Sequence, residues 1–301
     1  MATTTSANET KKLQVTELDF DQIKTNLKNF LRNQAEFADF DFEGSGMSVL
    51  LDLLAYNTHY LGFNANMLAN EMFLDSAALR SSVVSLSKML GYTPASAIAP
   101  SADITVVLAN ASGASVTMPA GTKFTTTVGD TQYTYVTNSD KTITPQDGVY
   151  TFSNCKIFEG TRVTFQYTAD SSNEDQRFIV PNSNADMTTL KVEVQNSSSD
   201  TRTFTYSKVS SLTGVAPDGR VYFTQEVEDG KFEVFFGDGA VGKKIQDGNI
   251  VKLTYIVTNK TASNGANSFS LSGTIAGFSA QSITVNSKST GGSEPESIAS
   301  V

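Results

Sequence analysis

The sequence predicts an α+β protein, with an N-terminal helical hairpin or bundle element followed by mainly antiparallel β lobes in a barrel or sandwich. Three observations predict it. Apolar residues recur at three- and four-residue spacings between about residues 18 and 92. Past Pro100 the period changes to two, as in Ile104, Val106 and Leu108. From there the chain is rich in Thr, Ser, Asn and Gly, with short strand signals at regular spacing. The expected division is a loose 1–17, a helical assembly domain over 18–95, β lobes over 96–180 and 181–290, and the start of a further region at 291–301.

The first helix is carried by Leu18, Ile23, Leu27, Phe30 and Leu31, with Asp19 or Asp21 as N-cap and an end near Ala35. A connector, FADFDFEGSG, follows, in which Phe37, Phe40 and Phe42 alternate with acidic residues before Gly44 and Gly46 turn the chain. These phenylalanines are expected to anchor in a neighbouring groove.

The second helix starts near Ser45 or Ser48. One apolar row runs Val49, Leu53, Tyr56, Tyr60, Phe63 and Met67. Met47, Leu50, Leu54, Leu61 and Leu68 form a second row beside it, and Asp52, Asn57, Asn64 and Glu71 mark a narrower polar side. A helix apolar on two sides must be covered by other helices or by a partner. Phe37, Phe40, Phe42 and the first row are therefore the expected partner interface.

Asp75 is the expected cap of a third helix with Leu79, Val83, Leu86, Met89 and Leu90 facing inward, closed by Gly91 and Pro94. The short connection predicts that helices two and three pack as an antiparallel hairpin. A first strand is expected from about Ser101, carrying Ile104, Val106 and Leu108, and others at 122–128, 132–137, 149–157, 161–168, 189–195, 202–208, 219–225, 231–236, 250–258 and 281–286. A boundary between β lobes is placed in Asp170–Gln176 or Asn182–Asp186. Residues Ser293–Glu296 read as a helix start, so a shortened chain is expected.

Composition excludes several functions. The 301 residues carry a net charge of −9, which opposes a general attraction to phosphate or anionic lipid. No apolar stretch reaches the roughly 18–20 residues of a membrane span, and MATTTSANETKKLQ lacks the layout of a secretion signal. One cysteine, Cys155, allows no internal disulfide; one histidine, His59, removes most zinc sites and ordinary catalytic triads. Both read as packed residues. No cofactor, nucleic acid, membrane or small-molecule substrate is expected.

Two motifs tempt a chemical reading. Residues 237–244, GDGAVGKK, satisfy Gly-x-Gly-x-x-Gly, but the continuation KIQDGNIVKLTYIV is a strand signal where a phosphate site needs a helix. Gly237, Gly239, Gly242 and Gly248 are expected instead to supply positive φ in a strand connection. Asp39, Asp41 and Glu43 cluster like cation ligands, yet the spacing lacks the order of a calcium loop. A third class, a receptor- or glycan-binding fibre module, is the alternative for a Thr- and Asn-rich β protein, although the chain has no Trp for sugar stacking.

Several blocks together resemble the baseplate wedge proteins of contractile-tailed phages, related to the baseplate J-like proteins. They are DFEGSGMSVLLDLLAYNTHY (41–60), ANEMFLDSAALRSSVVSLSKMLGYTP (69–94), MPAGTKF (118–124), FGDGAVGKKIQDGNIV (236–251) and GGSEPESI (291–298). The resemblance covers nearly the whole chain. It implies a virion structural protein of the tail baseplate, assembled in the host cytoplasm and without catalytic activity. Implied partners are other wedge proteins and a second copy of the chain, joined through N-terminal helices, with wedges closing into a ring around the tail hub. In the family a further large region usually follows the GGSEPESI-like block, so a truncated chain or one part of a split gene is expected here.

Overall fold

The computed structural model describes residues 19–32, 45–173 and 176–301. Among them the chain divides into a helical unit, ending at Tyr92, and a β unit beginning at Thr93.

In the helical unit, α1 (Phe20–Arg32) begins where Asp19 caps it, its Oδ1 accepting from the Asp21 amide at 3.3 Å. The 26-residue α2 (Gly46–Glu71) is about 39 Å long at 1.5 Å per residue. Its N-cap is Ser45, whose hydroxyl oxygen accepts from the Ser48 amide at 3.0 Å. The third helix, α3 (Arg80–Met89), is not capped by Asp75 as expected. Glu71 reaches across instead, its carboxylate accepting from the Ala78 amide at 2.9 Å and the Leu79 amide at 3.2 Å. The Ser82 side chain and these amides hold the Glu71 carboxyl below the usual carboxylate range.

At the other end of α3, the Tyr92 and Gly91 amides donate to the Ser87 and Lys88 carbonyls, and Gly91 sits at φ +76°. This is the left-handed stop that the Gly91–Pro94 pattern predicts. The helices in extended contact are α1 and α2, not the expected pair α2 and α3. The eight residues 72–79 between α2 and α3 leave α3 room to diverge. Val83, Val84 and Ser87 are its buried side, whereas Leu79, Met89 and Leu90, expected inside, are exposed.

In the β unit the first long strand, β1 (Ser101–Leu108), buries every second residue from Ala102 to Leu108, as its period of two requires. Next come β2 (Val116–Met118), β3 (Lys123–Val128), β4 (Thr131–Thr137), β5 (Lys141–Ile143) and β6 (Thr151–Glu159). Then follow β7 (Thr161–Thr168), β8 (Phe178–Val180), β9 (Ala185–Gln195), β10 (Thr203–Lys208), β11 (Val221–Glu226), β12 (Phe232–Phe236) and β13 (Ile250–Val257). The last two are β14 (Ser270–Leu271) and β15 (Ala280–Thr290).

One sheet has six strands in the order β14-β3-β4-β6-β1-β15, and a second has seven in the order β7-β13-β9-β10-β11-β12-β8; β2 pairs separately with β5. Among the described pairings all are antiparallel except β10 with β11. The first sheet packs Ile104, Phe124, Tyr135, Phe152 and Ile157 into its core. The second packs Val192, Val234, Leu253 and Tyr255. The architecture is thus α+β, with helices first and mainly antiparallel sheets after them.

The sheets do not follow the expected lobes of 96–180 and 181–290. Strands β7 and β8, assigned by sequence to the first lobe, lie in the second sheet, and β14 and β15 return to the first. The chain crosses between sheets at Glu159–Thr161 and back after Val257, so the second sheet is inserted within the first. A period-two pattern reports burial of a face but not which sheet a strand joins.

Both crossings are tied by buried acids. Glu159 accepts from the Thr258 hydroxyl at 2.7 Å, the Asn259 amide at 2.9 Å and the Asn259 side chain at 2.7 Å. Asp186, fully buried, accepts from the Ala99 amide at 2.9 Å and the Thr188 amide at 2.8 Å. Ala99, Val136 and Ile256 close the apolar part of the same junction.

No helix forms at Ser293–Glu296. Ser293 bridges Ile98, and Glu296 exchanges bonds with Ala95: its amide donates to the Ala95 carbonyl at 3.0 Å and its carboxylate accepts from the Ala95 amide at 2.8 Å. Backbone groups a helix would use internally are spent on this pairing. Gly292 has no room for a side chain, since a Cβ there would lie 2.5 Å from the Lys260 carbonyl oxygen.

Candidate functional site

Helix α2 turns the usual arrangement around. Its buried side carries Ser48, Leu51, Ala55 and Gly62, with Asp52 and His59 half-buried beside them. Small side chains let neighbouring backbone approach closely, and Lys24 of α1 pairs with Asp52 at 2.5 Å. What remains outside is the large apolar material.

Val49, Leu53 and Tyr56 are each 62 % exposed, and Tyr60, Phe63 and Met67 continue the row at 55, 59 and 42 %. The second row is exposed as well at Leu50, Leu54, Leu61 and Leu68. At roughly 100 Å² apiece these ten side chains present on the order of 1,000 Å². The largest apolar patch on an ordinary monomer is about 300–600 Å², and a standard interface takes about 800 Å² from each partner. The surface has the size and chemistry of an interface. Chemically it offers packing and exclusion of water, with no nucleophile or acid-base pair.

The structure brings Val49, Leu53, Tyr56, Tyr60, Phe63 and Met67 onto one open face. Phe37, Phe40 and Phe42 lie outside the described residues, as do Asp39, Asp41 and Glu43. Asp52 and Glu71, read from sequence as part of a polar side, are engaged within the chain, by Lys24 and by the start of α3. Asn57 and Asn64 are exposed between the two apolar rows. The small-residue stripe went unread in the sequence, although Ser48, Ala55, Gly62 and Ala69 repeat every seven residues.

The glycine-rich connection forms no helix after Phe236 and therefore no helix N-terminus for phosphate. Gly239, Gly242 and Gly248 have φ of +96°, +79° and +74°, as expected. Gly237 does not have positive φ; its lack of a side chain serves close approach, because a Cβ would lie 2.2 Å from the Val241 carbonyl oxygen. Asp238 accepts from the Val241 and Ala240 amides, which hold its carboxyl below the usual range. The Gly242 and Lys243 amides donate to the Ala216 and Gly219 carbonyls, tying two loops together.

The Gly237→Ala variant is expected to lose about 2–4 kcal/mol of stability, while Gly248→Ala, which meets no atom within 4 Å, loses about 1 kcal/mol from its positive φ alone. Urea unfolding of the two variants checks the order, and equal losses would refute the close-approach role.

Among the described residues no group of three or more His, Cys, Asp or Glu could hold a metal ion, and no helix is long and apolar enough to cross a membrane. Cys155 is a buried residue of β6, and burial raises its thiol pKa. Such a thiol is a weak nucleophile.

Residues 19–92 match the family model described as the helical domain of gp6-like baseplate wedge proteins. This is the helical unit that carries the exposed face. Over 305 aligned positions the chain is 29 % identical to the baseplate wedge protein gp6 of Enterobacteria phage T4, covering 93 % of this chain and 45 % of that protein. The chain thus spans less than half the length of the curated relative it matches. In its helical unit, and along nearly its whole length, it is similar to a phage baseplate wedge protein.

Proposed function

We propose that this chain is a structural, non-enzymatic subunit of a phage tail baseplate wedge. It assembles through α2 with other wedge proteins and with a second copy of itself, and it contributes to the ring around the tail hub. Its place is the virion tail baseplate, reached after assembly in the host cytoplasm. The observation that carries this reading is the open apolar face of α2, which is too large to stay in water, on a helical unit that matches a wedge protein's helical domain. The inserted β sheets, tied at both crossings, serve as a spacer that holds lateral contacts at a set distance. Work is done by rearranging subunit contacts, not by making or breaking bonds.

The test replaces apolar surface by charge where the monomer does not need it. Leu53→Asp and Tyr60→Asp sit on the exposed row, so each should fold normally by circular dichroism. In the assembly each buries a carboxylate without a partner, and a loss of about 3 kcal/mol corresponds to roughly 100-fold weaker co-assembly with wedge proteins. Normal incorporation of both variants, measured by co-purification and sedimentation, would refute the helix-face reading.

A further inference from the structure

The two large sheets end in four edge strands, and three of them are blunted. β14 and β8 have only two and three residues. β15 is long, but its pairing with β1 shifts register three times, and the Gly265 amide closes one end by donating to the Ser289 carbonyl. β7 has neither device. It pairs with β13 over all eight residues without a register shift, and its sequence, TRVTFQYT, holds no proline and a single charge. A flat edge of β-branched and aromatic residues is a template for another strand.

Backbone groups point to alternate sides along a strand. The Ala169 amide donates to the Asn249 carbonyl at 2.7 Å, just beyond the β7–β13 ladder, so odd-numbered residues of β7 face β13 and even-numbered ones face the open edge. Both ends of that edge are occupied: the Gly160 amide donates to the Thr134 carbonyl, and the Thr168 carbonyl accepts from the Gln176 side chain at 2.7 Å. Between them the amides and carbonyls of Arg162, Thr164 and Gln166 have no backbone partner among the described residues. Two side chains beside this ladder say what would pair with it. Phe165 is 38 % exposed, on the side where Val163 and Tyr167 pack on the core, with its ring 5.0 Å from that of Tyr167. Arg162, on the opposite side, has no ion pair among the described residues, and its Nε is buried without a hydrogen-bond partner.

We propose that the open edge of β7 takes up an extended segment of a different polypeptide by strand addition, the segment setting a carboxylate against Arg162 and an apolar side chain against Phe165. A cation drawn partly out of water without a counter-charge is costly, and a carboxylate satisfies it with paired bonds that also fix register. An edge strand of a second copy does not supply that group, because β7, β8, β14 and β15 contain no Asp or Glu. The surface lies in the β unit and is independent of the α2 face.

The experiment uses the full chain and an acetylated, amidated seven-residue peptide that alternates Phe and Asp, with amide hydrogen exchange followed by NMR. The peptide is expected to slow exchange at Arg162, Thr164 and Gln166 at least tenfold and to leave Val163 and Phe165, already bonded to β13, unchanged. Methylating the peptide nitrogens at every second residue should abolish binding in one phase and spare it in the other. Arg162→Glu should weaken the Phe/Asp peptide at least tenfold and take a Phe/Lys peptide in its place. No slowing by the Phe/Asp peptide, equal binding of the Phe/Lys peptide to the unsubstituted chain, or binding in both methylated phases would each overturn the proposal. Slowing of the three amides by raised protein concentration alone would assign the edge to a second copy and overturn it as well.

Discussion

The Glu159→Ala variant is expected to unfold at a temperature roughly 6–12 °C below the unsubstituted chain, from a loss of about 3 kcal/mol or more. Glu159 is 1 % exposed and lies where the chain leaves the first sheet for the second. Its two oxygens collect three donors from Thr258 and Asn259, just past the end of β13 where the chain returns to the first sheet. Removing the carboxylate takes the acceptor from the buried Thr258 hydroxyl and from the Asn259 amide, and among the described residues no other group accepts from that amide, while the side chain of the exposed Asn259 can turn to water. Glu159→Gln keeps the shape and one acceptor but turns a donor toward other donors, so a smaller loss of about 1–2 kcal/mol is expected. Thermal and urea unfolding measure both, and hydrogen exchange at the Asn259 amide should quicken first. A Glu159→Ala variant within 0.5 kcal/mol of the unsubstituted chain would show that the junction does not depend on the acid.

The neighbouring residue carries the second large effect. Gly160 has φ +122°, and a Cβ there would fall 2.2 Å from the Val257 carbonyl oxygen and 2.9 Å from Ile256 Cγ2. The outgoing and returning strands pass so closely that neither can give way without shifting β13, whose pairing with β7 runs from Val257 to Ile250. Gly160→Ala should therefore cost about 3–5 kcal/mol, from strained backbone and steric overlap together. Gly129→Ala is the matched control: its φ is also positive, at +60°, but no atom lies within 4 Å, so only about 1 kcal/mol is at stake. Similar losses in the two variants, measured by urea unfolding, would remove the overlap from the explanation.

Much of the local structure was legible in the residues. The row from Val49 to Met67 predicts α2 because its four-three spacing returns to one side of a helix, and Ser45 supplies the cap. The alternation that starts at about Ser101 and runs through Leu108 predicts β1. Strands β2, β5, β8 and β14, of two or three residues, are too short to show any period and were missed. The capping of α3 was misread because Asp75 is near in sequence, whereas Glu71 is near in space once the 72–79 connection has turned. The candidate interface was legible as a row of residues that needs cover, but spacing alone does not say whether the cover comes from this chain or another. Large side chains at helical spacing look the same whether they meet their own chain or another.

By itself the sequence determined the α+β class, the helical periods, the alternating strands and the change between them at Pro100. These depend on repeats of two or 3.6 residues, which local order records. Tertiary structure decided which sheet each strand joins, that the second sheet is inserted in the first, and that Gly160 and Gly237 are needed for space. It also decided that α2 buries Leu51 and a stripe of small residues and leaves most of its large ones outside. Each depends on which distant segments come within a few ångströms, and residue spacing along a chain carries no record of that distance.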